Sequence, residues 1–242
     1  MARLYVGTSG WAYTTWKPDF YPEKLAQKKF LSFYATKLNA VEVDYTFRQW
    51  AKEQTVKAWI ADTPAHFRFS IKAHQSITHI KRLTGADESL TRFLGTLEAL
   101  RREERLGPLL FQLPPNFRAD QSVLRAFLKC LPRNMRAAFE FRHESWFTDA
   151  TWSTLRKRNI ALCVAETEDR ATPDIVTADY VYYRYRKSNY TTKERRTMTA
   201  HIREHLAEGR DVYAYFKHEE TPKSAKCAMQ LLRAGLANGL SA

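Results

Sequence analysis

Short runs in which apolar and polar side chains alternate recur along this chain, separated by longer stretches with apolar residues three and four apart. A period of two marks a strand with two unlike faces, and a period near 3.6 marks a helix with one apolar stripe. Strands are expected at Leu4–Thr8, Ala40–Asp44, Phe67–Lys72, Pro108–Leu113, Arg136–Phe141, Ile160–Glu166, Tyr180–Tyr185 and Asp211–Phe216. Helical patterns follow them behind capping residues. Asp87 precedes Leu90, Phe93, Leu94, Leu97 and Leu100; Asp120 precedes Val123, Leu124, Phe127, Leu128 and Leu131; Thr148 precedes Trp152 and Leu155. The segment from Thr167 to Asp179 contains Pro173 and shows little helical period, so the sixth helix is expected to be short or missing.

Strand followed by helix, eight times over, predicts an α/β fold with a parallel sheet. The alternation decides between an open sheet and a closed one. Parallel strands covered on both faces should be apolar throughout, yet Val41 and Val43 interleave with Glu42 and Asp44. In the same way Phe67, Phe69 and Ile71 interleave with Arg68, Ser70 and Lys72, and Phe139 and Phe141 with Glu140 and Arg142. A single (β/α)8 barrel over residues 1–242 accounts for this. Its apolar set packs outward on helices, and its polar set points into the centre near the strand C-terminal ends. Gln112, Glu166, Arg184, Arg186 and Lys217 fit the same scheme.

Composition adds one strong feature. The 242 residues carry 39 Lys and Arg against 26 Asp and Glu, a net charge of +13. Such a field favours polyanions, so a nucleic acid or a phosphorylated small molecule is the expected partner, with a merely solvated basic surface as the alternative. The three cysteines, Cys130, Cys163 and Cys227, form no CxxC pair. They suggest neither a disulfide-linked partner nor a thiolate metal site, and a reducing, cytoplasmic setting is expected. The N-terminus reads directly as a strand, with no signal-peptide region, and no apolar run is long enough to span a bilayer, so no membrane association is expected.

Several motifs carry a resemblance. Gly7-Thr8-Ser9-Gly10-Trp11 with Phe20-Tyr21-Pro22, Val41-Glu42-Val43-Asp44, and Lys72-Ala73 with Ile77-Thr78-His79 resemble the YecE-like family (domain of unknown function 72). So do Leu109-Leu110-Phe111-Gln112-Leu113-Pro114-Pro115 and Glu140-Phe141-Arg142-His143 with Ser145-Trp146-Phe147. The resemblance runs in order along nearly the whole chain and implies a TIM barrel without a secure activity. The sequence departs from the family pattern in its later part. Asp44-Tyr45 stand where Asn-Ser is usual, Arg184-Tyr185-Arg186-Lys187 where Arg-Leu-His-Gly is usual, and Phe216-Lys217-His218-Glu219 where an Asn-Asn segment often follows.

The candidate chemistry lies at the strand ends. Glu42, Glu140, Glu166 and Lys72 are candidate catalytic residues, with carboxylates suited to acid–base work or to a divalent metal. A metal would draw on Glu42, Glu140, Glu166, His143 and His218; the competing reading is an interior ion-pair network with Lys72, Arg142 and Arg184. Asp44, His79, Gln112, Arg142, His143, Arg184 and Arg186 are candidate substrate-binding residues, the arginines offering a bidentate fork to phosphate. Trp11, Tyr13 and Trp146 are candidates for stacking a base or sugar ring, with Trp16 and Tyr185 also near the top loops. His201-Ile202-Arg203-Glu204-His205 matches the H-x-x-E-H pattern of inverted zinc proteases. It falls on an outer packing helix with little chain downstream for a third ligand, so zinc is set aside there. The leading expectation is a hydrolase for a phosphate-bearing or nucleic-acid substrate. The alternatives are a carbohydrate-active barrel and a non-catalytic polyanion-binding protein.

Overall fold

The computed structural model describes residues 1–168, 171–217 and 220–236. All eight expected strands form: β1 (Leu4–Thr8), β2 (Ala40–Val43), β3 (Arg68–Lys72), β4 (Leu106–Gln112), β5 (Ala137–Glu140), β6 (Ala161–Glu166), β7 (Tyr180–Tyr185) and β8 (Asp211–Phe216). They pair in parallel in the order β1-β8-β7-β6-β5-β4-β3-β2. The helices are α1 (Phe30–Tyr34), α2 (Glu53–Ala61), α3 (Asp87–Thr96), α4 (Glu98–Arg102), α5 (Gln121–Cys130), α6 (Asp149–Arg156), α7 (Thr192–Ala207) and α8 (Lys223–Leu236). Asp120 and Thr148 cap α5 and α6 as expected, accepting backbone N–H groups of the first turn. Asp87 instead begins α3, one position inside its N-cap, where its carboxylate favours the positive end of the helix dipole. Among the described residues of the β6–β7 crossover there is no helix, which leaves that part of the outer wall thinly covered.

The seam between β1 and β2 is bridged largely by side chains. Asn39 Oδ1 accepts from Val6 N at 2.8 Å and its Nδ2 donates to Leu4 O at 2.7 Å, in place of ladder bonds. The Tyr34 hydroxyl accepts from Thr8 N at 2.8 Å and donates to Ala40 O at 2.9 Å. At the top of the seam Ser9 and Glu42 form a parallel bridge, and Gly10 N donates to Glu42 O at 2.8 Å. Gly7 permits the approach, because a Cβ there would collide with the Ala40 carbonyl.

The alternation sorts the residues as a barrel requires. Val41, Phe69, Phe111 and Phe139 lie in the large outer core with the helices. The interior is a separate cluster of Tyr5, Tyr180, Tyr182, Tyr213 and Tyr215 with Ala40, Leu110, Ala138, Ala161 and Cys163. Bulky rings set against small residues fill the tube, and buried phenol oxygens need partners. Tyr180 donates to Ala137 O at 2.7 Å, and the Tyr215 and Ser70 hydroxyls meet at 2.8 Å. No helix among the described residues is long and apolar enough to cross a membrane, and the three cysteines are free thiols.

Candidate functional site

The C-terminal end of the barrel is closed by a buried ion-pair network centred on Arg184. This residue lies two positions beyond Tyr182 on β7, so it occupies the next inward position above the tyrosine layer. Its Nη2 reaches Glu42 Oε1 at 2.5 Å, its Nε reaches the same oxygen at 3.1 Å, and its Nη1 donates to Glu140 Oε2. Arg184 is 1% exposed, Glu42 0% and Glu140 3%, so all three charges are out of water and depend on one another. Further donors reach both carboxylates. Ser9 Oγ donates to Glu42 at 2.6 Å and the Tyr182 hydroxyl at 2.7 Å. Gln112 Nε2 donates to Glu140 at 2.8 Å and Arg142 Nε at 2.9 Å.

Burial alone would raise the Glu140 carboxyl, but the guanidiniums of Arg184, Arg186 and Arg142 overcome it and hold the group well below the usual carboxylate range. Glu140 is therefore a fixed anion. The interior ion-pair reading of Glu42, Glu140, Arg142 and Arg184 matches the geometry better than a catalytic carboxylate pair.

Above this floor lies a wetter layer. Asp44 follows β2, with Lys72 Nζ and Arg184 Nη2 each 3.5 Å from its Oδ1 and Lys217 Nζ 3.8 Å from its Oδ2. Its Oδ1 is buried and accepts no hydrogen bond. Burial raises the Asp44 carboxyl, but Arg184, Lys72, Lys217 and Arg186 together bring it below its ordinary value. Lys72 also stands over the Phe47 ring, its Nζ 4.5 Å from the centroid. Burial lowers its amine, and Asp44 offsets only part of that effect. His79 packs edge-on against the same ring at 4.8 Å, and its imidazole is lowered by burial and by the charges of Lys72, Arg142 and Arg82. Arg186 lies close enough to feel the charges of Glu140, Glu42 and Asp44.

Beside Asp44 a cavity of about 300 Å³ opens, lined by Trp11, Tyr13, Tyr45 and Trp59. Trp11 meets Trp59 edge-to-face at 5.8 Å. The Tyr13 hydroxyl donates to Ser9 O at 2.8 Å, and Gly10, at φ +86°, allows the loop to turn against that ring.

The structure thus gathers Glu42, Asp44, Lys72, His79, Gln112, Glu140, Arg142, Arg184 and Arg186 at one end of the barrel, with Trp11 and Tyr13 at its edge. Three expected site residues lie elsewhere. Glu166 is one step out of phase: it pairs with the outward Tyr185, while Ala165 pairs with the inward Arg184, so Glu166 points outside and meets Lys187 at 3.6 Å. His143 turns back to cap its own loop, its Nδ1 accepting from Ser145 N at 3.2 Å. Trp146 is fully buried, stacked on Phe141 at 4.7 Å with its Nε1 donating to Phe117 O. Trp16 and Tyr185 are likewise core residues. With Glu166 outside and His143 turned away, the described members of the metal set expected from the strand ends do not converge; His218 lies outside the described residues.

Ser9 and Tyr182, both bonded to Glu42, are site residues that the strand reading did not single out. The inward phase of Arg184, carried back two residues, points to Tyr182.

Comparison with known proteins agrees with this architecture. The family model described as "Protein of unknown function DUF72" matches residues 5–239. The UPF0759 protein YunF of Bacillus subtilis is 30% identical over 152 residues, which cover 60% of this chain and 52% of that protein. The UPF0759 protein YecE of Escherichia coli is 30% identical over 145 residues, 60% of this chain and 50% of that protein. The matched region therefore spans about half the length of these curated relatives. A DUF72 family crystal structure from Thermotoga maritima superposes with a TM-score of 0.83 at 27% identity, covering 95% of this chain and 97% of that one. A second, from Enterococcus faecalis, gives 0.78 at 17% identity over 98% of each chain and speaks for the fold alone. Fold, motif order and family model agree: this chain belongs to the DUF72 family of proteins of unknown function.

Proposed function

We propose that the barrel mouth binds a phosphate-bearing substrate, with a nucleotide or a nucleic-acid end as the fitting class, and that the protein acts on it as a hydrolase. The carrying observation is the charge count. Among the described residues, Lys72, Arg142, Arg184, Arg186 and Lys217 surround only three carboxylates, Glu42, Asp44 and Glu140. Basic side chains thus dominate a partly desolvated site. A terminal phosphate, carrying roughly −1.5 to −2 at neutral pH, suits such a site.

The roles divide by depth. Glu42, Glu140 and Arg184 form the framework, bonded to one another and to Ser9, Tyr182, Gln112 and Arg142. Asp44, Lys72 and His79 lie in the layer that meets substrate. Lys72 and Arg186 contact the phosphate oxygens, Asp44 orients the attacking water, and the cavity of Trp11, Tyr13, Tyr45 and Trp59 takes the attached ring.

A carbohydrate-active reading is less well supported. Glycosidases need one carboxyl raised to serve as an acid, and the Glu140 carboxyl is held in the opposite direction. A panel of phosphate mono- and diesters, incubated with wild type and with Asp44→Asn, tests the hydrolase. Release of phosphate or alcohol by wild type, reduced about a hundredfold in the variant, supports the proposal. Binding without turnover in both would leave a polyanion-binding protein.

A further inference from the structure

The β6–β7 crossover carries no helix among its described residues, and a groove of about 540 Å³ lies there on the outside of the barrel, between the outer faces of β6 and β7 and the side of α7. Asp174, His201 and His205 meet in and beneath it. The two histidines are four apart on α7 and so share a face of the helix. Asp174 comes from the β6–β7 crossover. One side-chain atom from each of the three lies within 4.8 Å of the others. His201 Nδ1 is 3.4 Å from Asp174 Oδ2. Ligands of a tetrahedral zinc ion, at about 2.0–2.1 Å from it, stand about 3.3 Å from each other.

We propose that Asp174, His201 and His205 form a binding site for a zinc-type divalent transition metal, which ties the β6–β7 crossover to α7.

The surroundings suit that role. His205 is 5% exposed and lies at the foot of the groove, within reach of the other two side chains. The Tyr183 hydroxyl, 2.7 Å from His205 Nε2 and 3.2 Å from both Asp174 oxygens, sits between the two ligands and can hold the carboxylate in place once His205 turns to the metal. His201 and Asp174 are partly exposed on the groove side, which gives an ion a way in. Arg210 Nη1 stands 3.3 Å from His205 Nδ1 and is also paired with Glu208. Metal on Nε2 puts the ring proton on Nδ1, so this guanidinium competes with loading and must turn toward Glu208. The matching zinc-protease pattern does not make this a protease site, because Glu204 is exposed on a different side of α7 from the buried His205. The third ligand comes from upstream in the sequence.

The test uses the full chain, stripped with chelator and titrated with ZnCl2, with bound metal counted by elemental analysis and affinity read by calorimetry. One zinc per chain is expected. Asp174→Asn and His201→Gln alter partly exposed groups and should fold normally; each should weaken binding at least tenfold, and Arg210→Ala should tighten it severalfold. Cobalt in place of zinc should give the visible bands of a four-coordinate nitrogen–oxygen site, lost in both weakening variants. Amide exchange in residues 171–179 should slow when zinc is added. No zinc retained by wild type, or equal binding by Asp174→Asn and His201→Gln, overturns the proposal. So does zinc that is lost only on changing Cys130 or Cys227 to Ser.

Discussion

Arg184 on β7 and Glu42 on β2 stand 142 residues apart in the chain and meet at 2.5 Å across the mouth of the barrel, both fully buried. β1 and β8 lie between their strands in the sheet, so this pair spans the seam where the barrel closes. Replacing Arg184 by Met keeps much of the volume but leaves Glu42 and Glu140 buried without their cation. The expected cost is about 3–5 kcal/mol. Adding Glu42→Gln and Glu140→Gln to Arg184→Met should recover part of it, because the uncompensated charges are then gone. Urea unfolding of the single and triple variants measures both; a single variant as stable as wild type contradicts the network.

Glu140 makes the network sensitive to acid. Its carboxyl is lower in the folded chain than the roughly 4.3 of an unfolded glutamate. The stability it contributes is therefore complete above that unfolded value and is lost as pH falls toward the folded one. Glu140→Gln should lose about 3–5 kcal/mol at pH 7 and show a flatter fall in stability below about pH 4.3. Thermal melts of wild type and variant across pH 3–7 make the comparison, and parallel curves would contradict the assignment.

The seam gives a prediction of a different kind. Gly7→Ala places a methyl group against the Ala40 carbonyl and the Tyr34 hydroxyl, both of which are fixed by the β1–β2 contacts. Neither can move without opening the barrel. The expected loss is about 3 kcal/mol, at the upper end for overpacking, or roughly 6–12 °C in a chain of this size. A melt within 2 °C of wild type would show that the seam is looser than the hydrogen bonds indicate.

Much of this was legible in the sequence because a strand has only two faces. Once Val41, Phe69 and Phe139 are placed outside, Glu42, Ser70, Lys72, Glu140 and Arg142 must lie inside. The rule fails where phase is hard to read. β6 runs Ala161-Leu162-Cys163-Val164-Ala165-Glu166, with small residues on its inner face and no contrast to set the register, and Glu166 fell on the wrong side. The tyrosines of β7 are ambiguous for a related reason. Tyr182 and Tyr183 are chemically alike, yet one donates to Glu42 inside and the other meets His205 outside. Loop residues carry no phase at all, which is why Trp146 and His143 resembled site residues until packing placed them. Asp174 lay beyond sequence reasoning because a ligand from a crossover without regular structure has no spacing to a helix pair.

Lys72 provides a pH test of the upper layer. Its amine is lowered by burial and partly restored by Asp44. Phosphate binding that needs the ammonium should therefore weaken, as pH rises, before the ordinary lysine value of about 10.4. Asp44→Asn removes the restoring charge and should move that loss to still lower pH, although it also removes a repelling anion and so strengthens binding at neutral pH. Isothermal titration of inorganic phosphate between pH 7 and 10 separates the two effects. An identical pH profile in wild type and Asp44→Asn would remove Lys72 from the site.

The central claim is that the basic barrel mouth holds a phosphate. It is tested most directly by titrating a fluorescent oligonucleotide bearing a 5′-phosphate, and the same strand without it, into wild type and Lys72→Met at several salt concentrations. The account predicts that wild type prefers the phosphorylated strand at least tenfold, that its affinity falls steeply as salt rises, and that Lys72→Met loses the preference while keeping the weak, salt-sensitive binding of a chain with net charge near +13. Equal affinity of wild type for both strands, or a preference that survives in Lys72→Met, would contradict it.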